Sequence, residues 1–404
     1  MRDIASITKQ AKWPVGFFDF GKAKTPDVRY FNCSVIRKRD GLWLIARRSH
    51  TLPKVAVGMN DLMAFKMTDS LQMHFGSKIR FPKTLTEQHH EDPRVSVING
   101  RVWISANTFQ INAKRTGWTG AHQCVGRATD DWGIDYVADP VYGKNGGSPL
   151  MNTGNEKNWL WFEHNGEPHM VYSSQPHVVL RMSRDLNHPI QEYVTTPKFD
   201  WDYGQIRGGT PPVRVGDEYF TFFHSSTAWT SRFRRYHMGF LAFKAEAPFE
   251  VTRLSKRPIL SGSQEDEWHE GLPLVVFPCG AILENGEWLV TMGVNDCCSA
   301  WIKIPHNDLT KTSQRPSKKT EDTTDTSAAP ANDSNPPPLV APFDGFAFLG
   351  VPQERAQNPG GCEVVRSADY AGDNRHATER APEPNGTPRR AGRRHRLREG
   401  VGGQ

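Results

Sequence analysis

Apolar and polar residues alternate along most of this chain in short runs, and glycine, asparagine and aspartate separate the runs. A period of two is typical of β-strands with one buried face, whereas the 3.6-residue period of an amphipathic helix is scarce here. The runs form five pairs across tight polar turns: 30–37 with 42–48, 94–98 with 101–107, 158–163 with 169–173, 211–215 with 218–224, and 273–283 with 287–293. The pattern predicts five β-hairpins.

The hairpins recur about every 50–60 residues, which is longer than the usual propeller blade of about 40–50 residues. Each joins a strand to an aromatic-rich second strand, and Asn99-Gly100 and Asn285-Gly286 favour tight turns because both residues tolerate positive φ. A sandwich would give fewer, more evenly spaced strands. We therefore predict an all-β fold, a five-bladed β-propeller with loop insertions.

The composition changes near residue 311. Residues 312–404 hold 11 of the 29 prolines, together with Ser, Thr, Asp and Asn runs and few periodic apolar residues. Such a segment buries too little apolar surface to offset its chain entropy. We predict that residues 1–311 form the propeller and that residues 312–404 form a disordered low-complexity tail. Its basic cluster at 389–398 is interpreted as solvated rather than as a contact for nucleic acid or anionic lipid.

The formal charge is +6 for the whole chain and +5 for residues 1–311, which gives no reason to expect a nucleic-acid partner. No apolar stretch is long enough to span a bilayer, and residues 1–20 lack the apolar run of a signal peptide. We therefore expect a cytoplasmic protein without a membrane partner, and a homo-oligomer is compatible with the sequence. Six cysteines show neither metal nor disulfide spacing: Cys33, Cys124, Cys279, Cys297, Cys298 and Cys362. Buried free thiols are the expectation.

The most polar stretch that precedes a predicted strand is HHEDPR at 89–94. Pro93 disfavours helical geometry at Asp92 and so predicts an extended aspartate at the mouth of a strand. Glu91 would then point to the opposite face and orient structure rather than perform chemistry. A polar turn before a strand is the simpler alternative.

Similar polar clusters stand at the strand ends of the other predicted blades. They include Arg47 and Arg48, Lys157 and Asn158, Arg207, His224, Tyr236 and His237, Glu265 to Glu270, and Asn295 and Asp296. In a propeller the innermost strand of each blade lines a central channel, and the residues at one end of these strands converge on the axis. These clusters are therefore expected to lie close together. Each member has a simpler explanation, such as a surface arginine or a hydrogen-bonded core histidine. Together, carboxylates, cations and aromatic rings in one depression suit a sugar.

Four stretches resemble glycoside hydrolase family 130, whose members are five-bladed propellers that cleave β-mannosidic bonds. They are EDPRV at 91–95, EKNW at 156–159, GGTPPV at 208–213 followed by FFH at 222–224, and VVFPCGAI at 275–282 followed by MGVND at 292–296. The stretches lie in the family's order, and the resemblance covers about residues 30–304. It implies an enzyme that acts on an oligosaccharide or glycoside, most often by phosphorolysis and in some branches by hydrolysis.

The resemblance implies that Asp92 is the general acid of a single inverting displacement, acting through a hydroxyl of the sugar. It implies a phosphate site formed by Lys157, His224 and Tyr236, and it implies that Asp296 hydrogen-bonds the sugar. The other expected substrate-binding residues come from the polar stretches themselves: Arg47, Arg48, Arg94 and Asn158. Inorganic phosphate would be a co-substrate, and neither a cofactor nor a metal is expected. This chemistry is consistent, because phosphate needs several cationic or donor groups and the leaving oxygen needs a proton.

One departure leaves the nucleophile open. Phosphorylases of the family carry a further phosphate-binding arginine in the second blade, where this chain reads GAHQCVGR at 120–127, and Arg115 is the nearest candidate. If that arginine is missing, water replaces phosphate and Glu270 is the best candidate for the base, about 6.5–9.5 Å from the acid. We favour phosphorolysis, with an inverting hydrolase or a non-catalytic sugar-binding propeller as alternatives. A furanosidase-type propeller hydrolase, which needs two or three acidic residues at the channel, ranks lower.

Overall fold

Five antiparallel sheets follow one another along the chain in the computed structural model. It describes residues 7, 10–21, 28–50, 59–82, 89–111, 118–138, 140, 157–228, 234–263 and 274–316. Blade I contains β2 (Val28–Lys38), β3 (Gly41–His50), β4 (Met59–Met67) and β5 (Met73–Lys78). Blade II contains β6 (His89–Ile98), β7 (Arg101–Ile111), β8 (Trp118–Ala128) and β9 (Ile134–Ala138). Blade III contains β10 (Leu160–His164), β11 (Glu167–Ser174), β12 (His177–Met182) and β13 (Pro189–Thr195).

Blades IV and V complete the ring. Blade IV contains β14 (Val213–Val215), β15 (Glu218–Ala228), β16 (Arg234–Lys244) and β17 (Val251–Ser255), with β18 (Leu260–Ser261) beside β16 and β22 (Ser313–Gln314) beside β17. Blade V contains β19 (Val276–Glu284), β20 (Glu287–Val294), β21 (Cys298–Pro305) and the N-terminal β1 (Val15–Phe17). A short helix, α1 (His306–Lys311), follows β21. The predicted five-bladed β-propeller is confirmed.

The turn chemistry explains why the hairpins were readable from the sequence. Asn99 and Gly100 have φ of 53° and 68°, and Asn285 and Gly286 have φ of 52° and 77°. Positive φ at both central positions matches the twist of the flanking strands, and asparagine and glycine adopt it at low cost. Each predicted pair corresponds to the first two strands of a blade. The remaining strands of each blade were not predicted.

Two strands close the fold at its ends, and neither was predicted. β1 pairs with β21, with Val15 opposite Ile302, so the beginning of the chain supplies the outer strand of blade V. β22 pairs with β17 through Leu254 and Gln314. Residues 312–316, assigned by composition to the tail, are therefore described as part of blade IV, while residues 317–404 lie outside the described residues.

The hydrophobic core lies between neighbouring blades rather than at the propeller axis. Ile45 of blade I packs in one cluster with Ile104 of blade II, and Phe162 of blade III packs in another with Phe243 of blade IV. Burying the sheet faces in this way leaves the inner strand ends for polar residues.

The five described cysteines carry free thiols, and Cys33, Cys124 and Cys279 are buried as expected. No helix among the described residues has the length and apolar character needed to cross a membrane.

Candidate active site

A pocket of about 280 Å³ lies where the inner strand ends of the five blades meet. Every blade contributes to its lining: Asn32 and Arg47 from blade I, Glu91, Asp92 and Asn107 from blade II, Lys157 and Asn158 from blade III, Arg207, His224 and Tyr236 from blade IV, and Val275, Phe277 and Asp296 from blade V. The convergence expected from the repeated polar clusters therefore occurs in this structure.

A β-bulge places Asp92, and this corrects the predicted extended geometry. Between Glu91 and Arg94, β6 advances three residues while its partner β7 advances two. The extra residue is accommodated by a φ of 52° at Asp92, in the left-handed region. The bulge also breaks the alternation of side chains, so Glu91 and Asp92 line the same pocket. The prediction that Glu91 points to the opposite face was wrong for this reason.

Left-handed backbone is concentrated around the pocket. Among the described residues, four of the twelve non-glycine residues with positive φ line it: Asn32, Asp92, Asn158 and Asp296. Asparagine and aspartate tolerate this conformation best, because their short side chains can hydrogen-bond locally. A second bulge, between Phe31 and Ser34, places Asn32. Such conformations cost about 1–3 kcal/mol each for ordinary residues and cluster at functional sites.

Asp92 is held by three donors. Asn32 Nδ2 donates to its Oδ1 at 2.6 Å, Arg47 Nη1 donates to the same oxygen at 3.2 Å, and Asn107 Nδ2 donates to Oδ2 at 3.1 Å. Burial acts to raise the pKa of Asp92, but the Arg47 charge and the Asn32 hydrogen bond outweigh burial and hold the pKa below its ordinary value. Asp92 is therefore ionised in the free protein at neutral pH.

Glu91 has the opposite tendency. Arg47 Nη2 donates to its Oε1 at 2.7 Å, and Asn60 Nδ2 donates to the same atom at 2.8 Å. Burial nevertheless raises the pKa of Glu91 to about 7, with the Asp92 charge adding to the effect. Because the two buried carboxylates repel each other, they titrate as a pair that retains one proton below about pH 7, although the Arg47 charge opposes this.

Three carboxyls and three cationic side chains share the pocket. Desolvation raises the pKa of Asp296, the third carboxyl, and the Arg47 charge opposes this effect. Lys157 and Arg207 are the other two cationic side chains, and burial lowers the pKa of both. Electrostatic interactions in such a partly desolvated site carry more weight than they have in water.

The blade IV side of the pocket presents donors rather than carboxylates. Burial, reinforced by the Arg207, Arg94 and Lys157 charges, lowers the pKa of His224 well below its ordinary value, so the imidazole is neutral. Its Nδ1 is buried and has no hydrogen-bond partner among the described residues. Tyr236 stacks on His224 with ring centroids 5.9 Å apart, and burial raises the pKa of its phenol.

Arg94 does not line the pocket but lies directly behind it. The side chain is 1 % exposed, and its guanidinium donates to the carbonyls of Gly209 at 2.6 Å and Asp92 at 3.1 Å and to Asn158 Oδ1 at 2.9 Å. It thus connects blades II, III and IV and anchors the backbone of Asp92. The structure makes Arg94 a positioning residue rather than a ligand-binding one.

Some predicted site residues lie elsewhere. Arg48 is outside the pocket, where it forms an ion pair with Asp61. Glu270 and Arg115 lie outside the described residues. His89, which had no predicted role, accepts a hydrogen bond from the Asn60 backbone, and His90 stacks on Phe81 with centroids 3.8 Å apart.

Asn32 and Asn107 were not predicted as pocket residues. Arg207 was expected to converge with the other polar clusters, and it lines the pocket, but it had been given no role because nothing local distinguished it from a surface arginine. Asn32 left an indirect signal at Gly293, where a Cβ would lie 1.7 Å from Asn32 Oδ1. Only glycine permits that approach, but the pairing becomes visible only once blades I and V are adjacent.

Comparisons with known proteins agree with this architecture. The model of glycoside hydrolase family 130, described as β-1,4-mannooligosaccharide phosphorylase, matches residues 18–315. The chain is similar in structure to β-1,2-mannobiose phosphorylase from Listeria innocua in complex with β-1,2-mannobiose, with 16 % identity, a TM-score of 0.54, and coverage of 72 % of this chain and 94 % of that one. No curated protein matches the sequence.

Two further solved structures show how widely the fold is used. One comes from the family of mannoside phosphorylases that contains hydrolases of β-1,2-mannosidic linkages in Candida mannan, at 14 % identity, TM-score 0.52, and coverage of 69 % and 85 %. The other is MPT-1, a GDP-Man-dependent mannosyltransferase from Leishmania mexicana, at 13 % identity, TM-score 0.51, and coverage of 74 % and 92 %. At such identities the likeness shows the fold alone, so the chemistry must be argued from the pocket.

Proposed function

We propose that this chain, which belongs to glycoside hydrolase family 130, cleaves its substrate by phosphorolysis in the pocket at the propeller axis. Membership makes the chain a carbohydrate-active enzyme for β-mannosides, of the glycoside phosphorylase or hydrolase kind. The observation that carries the finer proposal is the division of the pocket. The carboxyls of blades II and V surround Arg47, whereas Lys157, Arg207, His224 and Tyr236 come from blades III and IV.

The Glu91–Asp92 pair is proposed to supply the proton that the leaving oxygen needs: as phosphate bonds to the anomeric carbon and the glycosidic C–O bond breaks, the proton held on Glu91 passes to the leaving oxygen. Asp92 is ionised and held by Asn32, Arg47 and Asn107, so it is suited to accept a hydrogen bond from a sugar hydroxyl. Glu91 retains its proton to about pH 7. Arg47 contacts both carboxyls and favours their ionisation, but burial and the repulsion between the two carboxylates keep one proton on the pair below that pH. A general acid with a pKa near the working pH transfers its proton most effectively.

The cationic side of the pocket is proposed to hold phosphate for attack on the anomeric carbon. Lys157 and Arg207 offer charge, and the Tyr236 hydroxyl offers a hydrogen bond of adjustable direction. The neutral imidazole of His224 adds no buried charge, and its Nδ1 can accept a hydrogen bond from a protonated phosphate oxygen. Attack by a phosphate held there would be a single displacement that inverts the anomeric configuration.

Inverting hydrolysis is the second candidate, and blade II supplies the observation in its favour. Gln123 is buried in β8, where the family resemblance leads us to expect a phosphate-binding arginine, and its amide has no hydrogen-bond partner among the described residues. Arg127, the arginine of that strand, is paired with Asp135 at the surface. Phosphate would then have to be held without an arginine from β8.

We expect β-mannosides incubated with the full-length protein to yield a sugar 1-phosphate only when inorganic phosphate is present. Replacing Lys157 with methionine should raise the KM for phosphate about 10–100-fold, because a charge-assisted hydrogen bond contributes about 1.5–3 kcal/mol. Lys311→Met, at an exposed helix position, is the matched control and should leave KM unchanged. Free sugar formed equally with and without phosphate would establish hydrolysis instead.

We expect kcat/KM to fall as the pH rises above about 7, because Glu91 then loses its proton. The same group predicts a stability change of known sign. Its folded-state pKa lies above the ordinary value of 4.5, so its stabilising contribution is complete below that pH and is lost as the pH rises through 7. Urea unfolding and initial rates between pH 4.5 and 8.5 measure both effects.

Glu91→Gln should abolish both pH-dependent changes: the fall in kcat/KM above about pH 7 and the loss of stability as the pH rises through 7. Glu284→Gln, in a half-exposed ion pair with Arg37, is the control and should retain both. A change that persists in Glu91→Gln would belong to another group, such as phosphate itself, and would contradict the role of Glu91.

A further inference from the structure

An apolar groove of about 410 Å³ lies between blades III and IV. Its walls are mainly hydrocarbon and include Phe199, Trp201, Ile206, Leu241, Val251 and Leu254. We call this the blade III–IV groove. Its volume lies within the range of about 300–1,000 Å³ typical of ligand sites, yet none of these residues lines the catalytic pocket.

The described chain ends beside this groove. β22 pairs with β17 at Leu254, a groove residue, and Gln314 Nε2 donates to the carbonyl of Asp200 at 2.7 Å. Asp200 lies between Phe199 and Trp201, which both form the groove wall. Whatever follows Pro316 therefore starts next to an open apolar surface.

The chain that follows contains one strongly apolar segment. Residues 339–349 read LVAPFDGFAFL and include all three phenylalanines that occur after Pro316. The surrounding sequence is rich in charge, serine, threonine and proline, so this segment is the exception in its region. Twenty-two residues separate it from Pro316, and a linker of that length spans about 25–30 Å on average.

We propose that residues 339–349 bind in the blade III–IV groove of the same chain. The match is chemical, because the groove offers hydrocarbon and aromatic rings with few polar groups, and the segment offers phenylalanine, leucine and valine. A sugar would need more hydrogen-bonding groups than the groove provides. Tethering raises the effective concentration of the segment to about the millimolar range, so a weak intrinsic affinity suffices. This inference does not depend on the proposed function.

Photo-crosslinking in the full-length protein tests the contact directly. With p-benzoylphenylalanine in place of Phe346, cross-links should form to peptides that contain residues 196–206 or 241–254, in a product with the mass of a single chain. Cross-links to other peptides would overturn the proposal. Cross-links found only in a two-chain product would assign the groove to a second copy and would overturn it as well.

Hydrogen exchange is an independent test that does not require a groove variant to fold, because the main comparison changes residues 339–349 and leaves the groove intact. Exchange of the amides at 198–206 should be about ten-fold faster when Phe343, Phe346 and Phe348 are all replaced by serine. The bound segment protects these amides, and the degree of protection is set by the ratio of the segment's effective concentration to its dissociation constant. Thr196→Arg, at the exposed groove rim, should have the same effect, and Gln191→Arg, exposed on β13 away from the groove, should have none.

Equal exchange in the wild type and the triple variant would overturn the proposal. A β-mannooligosaccharide that slows exchange at 198–206 while the triple variant does not differ from wild type would instead make the groove a sugar site.

Discussion

Replacing Asp92 with asparagine is expected to lower kcat/KM for β-mannosides by about 10²–10⁴-fold, the usual contribution of a positioned acid–base group. Asparagine keeps the shape of the side chain, and its amide oxygen can still accept from Asn32 and Arg47, but its NH₂ then faces the donor of Asn107. It also removes the negative charge that acts on Glu91, so the remaining carboxyl loses its partner. Both changes are expected to impair proton transfer and to leave the fold intact.

The measurement is the initial rate on a β-mannoside panel in saturating phosphate, with KM determined separately. Asp61→Asn is the matched control, because Asp61 is similarly buried but pairs with Arg48 outside the pocket. Circular dichroism and thermal unfolding should show that Asp92→Asn remains folded. Wild-type turnover by Asp92→Asn would show that the proton comes from elsewhere, and equal losses in both variants would point to a structural effect.

The fold was largely predictable because its signals are local. Turns such as Asn99-Gly100 need only neighbouring residues to be read, and five of them define five blades. β1 could not be predicted, because a three-residue strand has no periodicity and its partner, β21, lies almost 300 residues away in the sequence. β22 was missed because a strand of two residues likewise has no periodicity.

The site was predictable at the level of residue types and less so at the level of geometry. Asp92, Lys157, His224, Tyr236 and Asp296 were identified through family resemblance, and the structure brings them into one pocket. The shared orientation of Glu91 and Asp92 could not be read from alternation, because a β-bulge breaks the alternation. The position of Arg94 behind the pocket could not be predicted either, because it depends on contacts between three blades.

Replacing Arg94 with methionine is expected to lower the free energy of unfolding by about 3–5 kcal/mol, the usual cost of breaking a buried charged network. Methionine fills much of the space and avoids the desolvation cost of a buried guanidinium. However, it leaves the carbonyls of Gly209 and Asp92 and the amide oxygen of Asn158 without their donor in the interior. Each such loss costs about 1–3 kcal/mol.

Urea unfolding measures the stability change, and the melting temperature should fall by about 10 °C. Arg37→Met is the control, since Arg37 forms half-exposed ion pairs at the rim and should cost at most about 1 kcal/mol. Arg94→Lys separates charge from geometry, because lysine keeps the charge but lacks the planar fork that reaches three acceptors.

If Arg94 positions Asp92, kcat should fall in Arg94→Lys even where the variant is fully folded, while the KM for phosphate stays near that of the wild type. A lysine variant with normal kcat and reduced stability would limit Arg94 to holding the blades together.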